Sequence, residues 1–396
     1  MLSQLSTPII PTLPEQWSDW ELTELIGAGT YGTVYKAQKK NDPNCVSAIK
    51  IINFPANENE ANILLREHRG DILSASNYCS QLAEEFQREA EILHTLADCE
   101  NVVAYQDFLM MPQEQQIGQT VYIQMEYLNS FSQYCVDNEL QESDVIRLGV
   151  DICTALSACH KKGIIHRDIK PDNIMVSKDG KFKLGDFGVA KTVSKTLSSL
   201  SIKGTFSYMA PEVYFGQRTN KQADIYSVGM MLYRLMNNNH DPFIDTDKKI
   251  VYHKDKEYAM QQRMSGEPLP FPVTASPEFG DIILKACAFD RKKRYKTADE
   301  FLSDLKKLQQ NKYCIKKKRR QLTKFQKRLV YCIMSVAVIL GAALGVNQAV
   351  EFYNTIDKGK LRRIRGLDAL QGWQACNRRN RRNRSNRTAE RIHFFH

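Results

Sequence analysis

The order of patterns along the chain is its strongest constraint: short strand-like runs come first and long helical periods come later. Leu22–Ile26, Thr33–Ala37 and Val46–Ile52 are stretches of strand length, and Val121–Tyr127 is another. From Ser143 the segments lengthen and take the helical period, over 143–162, 219–238, 256–265, 276–288 and 297–310. Strands gathered before helices predict an α+β chain of two unlike lobes, a small β-rich one and a larger helical one. Leu82, Phe86, Leu93 and Leu96 fall on one stripe and predict the main helix of the first lobe over 82–96. The polar stretch 53–80 reads as an inserted loop with some helix.

Charge divides the chain a second time. Of 396 residues, 55 are Lys or Arg and 45 are Asp or Glu, a formal net charge of +10. Residues 312–396 hold 21 of the basic and 4 of the acidic ones, a net +17, which leaves 1–311 at −7. The basic excess belongs to the tail and gives no ground for a nucleic-acid-binding core. Ten scattered cysteines form no Cys-x-x-Cys pair and no Cys/His cluster, which argues against a disulfide framework or a zinc site and for reduced core thiols. The leader 1–16 has prolines at 8, 11 and 14 and lacks the basic and apolar regions of a signal peptide.

Leu329–Val346 runs 18 residues without a charge, and Asn347–Val350 extends the uncharged stretch to 22. About 20 such residues at ~1.5 Å each cross ~30 Å of hydrocarbon, so a transmembrane helix is expected over 329–350. Nine Lys/Arg and no acid precede it in 312–328, a flank suited to the cytoplasmic side and to anionic lipid head groups. The far side is basic too, with five Lys/Arg between 358 and 365 and the run NRRNRRNRSNR at 377–387, so charge alone leaves the orientation open. The tail 351–396 carries no obvious folded module. Gly341 and Gly345, four apart in the span, offer a face for a homodimer of helices.

Residues 27–34 read Gly27-Ala28-Gly29-Thr30-Tyr31-Gly32-Thr33-Val34. Glycines at this spacing let backbone N–H groups approach phosphate oxygens. A dinucleotide-binding turn would lead from strand into helix, whereas Thr33–Ala37 looks like a second strand, so that reading loses. Lys50 lies within Ala48-Ile49-Lys50-Ile51-Ile52, and a lysine in so apolar a strand either snorkels from an edge or is buried against an anion. A triphosphate beneath the glycine loop would supply the anion, and a carboxylate would hold the amine. Glu89, at the centre of the apolar stripe of the 82–96 helix, is the candidate, with Glu85 one turn earlier as the alternative. Further on, His166-Arg167-Asp168-Ile169-Lys170-Pro171-Asp172-Asn173 and Asp186-Phe187-Gly188 supply carboxylates, an amine and hard oxygen donors.

With Ala210-Pro211-Glu212 added, G-x-G-x-x-G-x-V, A-I-K, H-R-D-x-K-x-x-N, D-F-G and A-P-E stand in order over about 20–310. The chain resembles the eukaryotic-type (Hanks-type) serine/threonine protein kinases, in style the membrane-anchored members of bacteria. The resemblance implies the bilobal kinase fold over 17–311, with the N-lobe to about 128 and the C-lobe from about 129, and transfer of the γ-phosphoryl group of ATP to Ser or Thr hydroxyls of proteins. It implies Asp168 at the acceptor hydroxyl, Lys170 at the γ-phosphate, and Lys50, held by Glu89, at the α- and β-phosphates. Asn173 and Asp186 would ligate Mg²⁺, with Mn²⁺ as a substitute. The adenine slot would be lined by Ile26, Val34, Ala48 and Met175, with Met125 as gatekeeper and Glu126–Leu128 as hinge.

The same resemblance implies that Thr205 bonds Asp168 and Lys170, that Glu212 is buried against Arg294, and that Asp224 anchors the catalytic-loop backbone. Arg167 would receive a phosphate from 189–203, which holds Thr192, Ser194, Thr196, Ser198, Ser199 and Ser201 and is expected to be autophosphorylated. The expected setting is a single-pass membrane protein with a cytoplasmic kinase domain and the tail 351–396 outside the cell membrane. Its partners would be ATP, protein substrates and membrane lipids, and no nucleic acid. Two features depart from the family pattern. The 39 residues from Lys50 to Glu89 exceed the usual connection, and Asp290-Arg-Lys-Lys-Arg294 lacks a proline after its aspartate.

Overall fold

The computed structural model describes residues 10–29, 32–113, 117–187 and 206–312, with Tyr331, Cys332 and Ser335 beyond them. The chain divides into two compact units, 1–306 and 307–396. In the first unit, an antiparallel sheet of order β1-β2-β3-β5-β4 is built from β1 (Trp20–Gly29), β2 (Gly32–Lys39), β3 (Asp42–Phe54), β4 (Tyr105–Pro112) and β5 (Gln119–Glu126). β4 has no clean alternation of apolar and polar residues, and sequence reading passed over it.

The stretch 53–80 is not a loop. β3 runs on to Phe54, and α1 (Glu58–Glu67) and the first part of α2 (Ile72–His94) follow, so the β-rich lobe has two helices. Asn57 caps α1 by accepting the Glu60 amide, and the Glu60 carboxylate accepts the Ala56 amide. Leu64, Ala75, Cys79 and Leu82 are the buried side of this pair, packed with Ile52, Phe54, Val121 and Ile123 of the sheet. Two of those four are small residues, and the outward positions are polar, which is why the helical period is faint before Leu82.

The other face of the sheet is covered by Trp17, just after the leader. Trp17 is buried with Leu22, Tyr35, Ala37, Ile49 and Ile51, and Leu13 and Trp20 pack around it. Its indole N–H donates to Asp107 at 2.9 Å, and its ring meets Tyr122 edge-on at 6.1 Å.

The helical lobe starts with β6 (Asn129–Ser130), α3 (Phe131–Asp137) and α4 (Glu142–Lys161), followed by β7 (Ile174–Val176) and β8 (Phe182–Leu184), which with β6 form a small sheet of order β6-β7-β8. Then come the single turn α5 (Pro211–Tyr214), α6 (Lys221–Leu235), α7 (His253–Ser265), α8 (Pro277–Ala286) and α9, which is helical over 298–312. α6 is buried almost all round, from Ala223 to Tyr226 and from Val228 to Tyr233, and packs on α4 and α8 as the axis of the lobe. The eight described cysteines are all free.

Among the described residues no helix is long and apolar enough to cross a membrane. The expected span 329–350, the basic segment from 313 and the tail lie outside them, save for Tyr331, Cys332 and Ser335, which are helical.

Candidate active site

The site is assembled where the first sheet faces the β7–β8 hairpin. β1 and β2 close toward each other at Gly29 and Gly32, with Thr30 and Tyr31 outside the described residues. Gly32 has φ 120°, and a Cβ there would lie 2.2 Å from the Ile51 carbonyl oxygen, so only glycine fits the close passage over β3. Lys50 stands in the middle of the sheet, opposite Val34 on β2 and Ile123 on β5. A central strand excludes the edge-snorkelling alternative, and Lys50 is buried. Two residues back, Ala48 lies opposite Met125 on β5. Ile26 sits at an irregularity in the β1–β2 register, Gly27 opposes Val34, and Leu128 follows β5 by two residues.

From the other side, the catalytic loop hangs on Asp224 of α6. One carboxylate oxygen accepts the His166 amide at 2.9 Å and the other accepts the Arg167 amide at 2.9 Å; His160 Nε2 adds a third contact at 2.9 Å. This holds Arg167 at φ 67°, a left-handed conformation that a side-chain-bearing residue adopts at a cost of about 1–3 kcal/mol. The turn aims Asp168 so that Lys170 Nζ lies 3.3 Å from its Oδ2. Asn173 Nδ2 donates to the Asp168 carbonyl at 2.6 Å and to its carboxylate at 3.2 Å.

Asp186, also left-handed at φ 50°, joins the two halves, since its carboxylate forms an ion pair with Lys50 Nζ. The backbone before it is tied down: Gly185 donates to the Asn173 carbonyl at 2.9 Å and accepts from His166 Nε2 at 2.9 Å. Burial first, and the Asp186 charge second, push the Tyr105 hydroxyl pKa far above its ordinary value. Lys50, Asp168, Lys170, Asn173 and Asp186 therefore meet in one place. α2 contains Glu85 and Glu89, but both side chains lie outside the described residues, as do Gly188, the 189–203 stretch and Thr205.

The donor set fits a divalent cation. Asn173 commits its amide nitrogen to Asp168, so the amide oxygen is what it has to offer. Together with the Asp186 carboxylate, whose side chain is 43% exposed, it makes a pair of hard oxygen ligands that leaves room for phosphate and water.

Behind the site, Arg294 and Glu212 form a buried pair. Two supports were missed in the sequence. Arg263 of α7 is buried, and its guanidinium donates to the carbonyls of Phe206 and Ser207, just before Ala210-Pro211-Glu212; a lone arginine in the polar run of α7 gives no signal for this. Lys183, between buried Phe182 and Leu184, has a legible one: like Lys50, it is a lysine inside an apolar strand.

A model of the protein kinase domain family matches residues 20–305. Serine/threonine-protein kinase PknB of Mycolicibacterium smegmatis is 29% identical over 306 residues, 74% of this chain and 44% of that protein. A probable serine/threonine-protein kinase of Clostridium perfringens is 29% identical over 297 residues, 74% of this chain and 38% of its own length. A probable PknB of Lactococcus lactis is 31% identical over 229 residues, 56% and 34% respectively. The chain thus spans less than half the length of these curated relatives. Because the family match runs across both lobes and takes in every residue that converges on the cleft, the chain belongs to the protein kinase family.

Proposed function

We propose that the chain is a serine/threonine protein kinase, transferring the γ-phosphoryl group of ATP to Ser or Thr hydroxyls of proteins. The observation that carries this reading is the convergence of Lys50, Asp168, Lys170, Asn173 and Asp186 from both lobes. ATP with Mg²⁺ supplies the transferable group and neutralises much of its charge. Asp168 accepts the proton of the incoming hydroxyl at its carboxylate and orients the oxygen. Lys170, beside that carboxylate, stabilises the γ-phosphate, and Lys50 binds the α- and β-phosphates. Asn173 and Asp186 hold the ion through their side-chain oxygens.

The anchor is part of the proposal. The span 329–350 holds the kinase domain at the cytoplasmic face of a bacterial membrane, with 312–328 against anionic lipid head groups and 351–396 across the membrane. Gly341 and Gly345 pair two spans, and Ser/Thr residues of 189–203 take phosphate that pairs with Arg167.

Incubation with γ-labelled ATP and Mg²⁺, followed by phosphoamino-acid analysis, tests the activity. Phosphoserine or phosphothreonine is expected from the wild type and not from Asp168→Asn. Label confined to tyrosine, or equal in the variant, ends the reading. Extraction of cell membranes with alkaline carbonate tests the anchor: the chain stays in the pellet if it spans and is released if it does not.

A further inference from the structure

Among the described residues, Lys183 pairs with none of those assigned to phosphate or metal, yet it lies on the strand that leads to Asp186. Phe182 and Leu184 are buried on one face of β8, so Lys183 takes the other face, which it shares with its cross-strand partner Met175. From there Nζ reaches Glu126 Oε1 at 2.6 Å, with the two side chains only 14% and 23% exposed. The same oxygen accepts the Ala104 amide at 2.7 Å, and the Glu126 amide donates to the Ala104 carbonyl at 3.0 Å. Residues 101–104 are themselves laid along β8. Val103 donates to the Leu184 carbonyl at 2.9 Å, Leu184 donates to the Asn101 carbonyl at 2.8 Å, and Asn101 Nδ2 donates to the Phe182 carbonyl at 3.0 Å. A single carboxylate therefore joins the end of β5, the lead into β4, and the strand that stops two residues short of Asp186.

We propose that Lys183 and Glu126 are a positioning pair that sets the separation between the end of β5 and Asp186, and thereby the affinity for nucleotide with its metal. This rests on the nucleotide-binding reading of the cleft. One end of the junction is where the base is expected, the other carries the metal-binding carboxylate, and the ion pair is the side-chain link between them. At this degree of burial, deleting the lysine strands the Glu126 charge against the Ala104 amide and leaves β5 and β8 joined through the backbone contacts of residues 101–104, a looser coupling. A pair serving stability alone would lower the melting temperature and leave affinity unchanged.

The test is calorimetric titration of the full chain with ADP and Mg²⁺, with melting temperatures taken on the same samples. Lys183→Met is expected to weaken ADP binding about tenfold, and Lys183→Arg, which keeps the charge, to stay within about twofold. Lys183→Met/Glu126→Gln, which also lacks the pair, is expected to bind about as weakly as Lys183→Met alone. Affinity of Lys183→Met within about twofold of wild type, or a double variant several-fold weaker than Lys183→Met alone, overturns the proposal. Should Lys183→Met not fold, Glu126→Gln replaces it: it preserves an acceptor for Ala104 and removes only the charge, so an unchanged affinity is equally decisive against the pair. Absence of ADP binding in the wild type refutes the nucleotide reading itself, a different result from wild-type binding that the variants share.

Discussion

Arg294 and Glu212 meet through two parallel contacts, Nη1 to Oε1 at 2.7 Å and Nη2 to Oε2 at 2.8 Å, with side chains 0% and 3% exposed. The guanidinium also donates to the Phe289 carbonyl at 3.1 Å and lies over the Tyr226 ring at 4.8 Å. Such a pair is fully compensated only while both members are present. Arg294→Met leaves a carboxylate in the core with nothing to balance it, and is expected to cost about 3–5 kcal/mol in urea unfolding. A loss below about 1 kcal/mol would mean that water reaches Glu212.

The Asp168 carboxylate is buried beside Lys170 and Asn173, and asparagine keeps its shape and an acceptor oxygen there. Asp168→Asn should lower phosphoryl transfer by about 10²–10⁴-fold while nucleotide affinity and melting temperature stay near wild type. If affinity collapses along with the rate, Asp168 is acting on nucleotide binding and not on the acceptor hydroxyl.

His166 is fully buried, and both ring nitrogens are engaged. The Asp168 amide donates to Nδ1 at 3.3 Å, so the ring proton is on Nε2, which donates to the Gly185 carbonyl. Burial holds its pKa below the ordinary histidine value. As pH falls, the unfolded chain takes up this proton near 6.5, whereas the folded protein takes it up only at lower pH. The unfolded state therefore carries more protons in that interval, and stability, intact above about 6.5, declines as pH drops below it, by at most about 1.4 kcal/mol per unit. Urea midpoints at pH 7.5 and 5.5 read the decline. His166→Gln should flatten it, and an identical slope in that variant would assign the effect to other groups.

Trp17 covers the outer face of the sheet from just beyond the Pro-rich leader 1–16. Trp17→Ala removes a buried ring and the hydrogen bond to Asp107, and should cost about 3–5 kcal/mol. Removal of residues 1–16 while Trp17 is kept should cost much less. If the two changes are equal in urea unfolding, the leader and not the indole is the cover.

The residues proposed to handle phosphate were legible because their chemistry is local. Glycine spacing, a lysine in an apolar run, and carboxylate, amine and amide within eight residues of each other are properties of short segments. The family resemblance extended that reading to Asp224 and to the Arg294–Glu212 pair across 82 residues. The two-lobed architecture followed from the order of periodicities along the chain. The insert after β3 did not, since small residues such as Ala75 and Cys79 bury completely without marking a stripe.

What the sequence by itself determined, then, is the kind of lobes and which groups are proposed to react, since periodicity and side-chain chemistry are carried by neighbouring residues. Only the tertiary structure decided that Lys50 meets Asp186, that Trp17 shields the sheet, that Arg263 grips Phe206 and Ser207, and that Lys183 reaches Glu126. Each of those contacts depends on which faces of distant segments are brought together, and a charge or ring in one segment carries no record of the distant group that will compensate it.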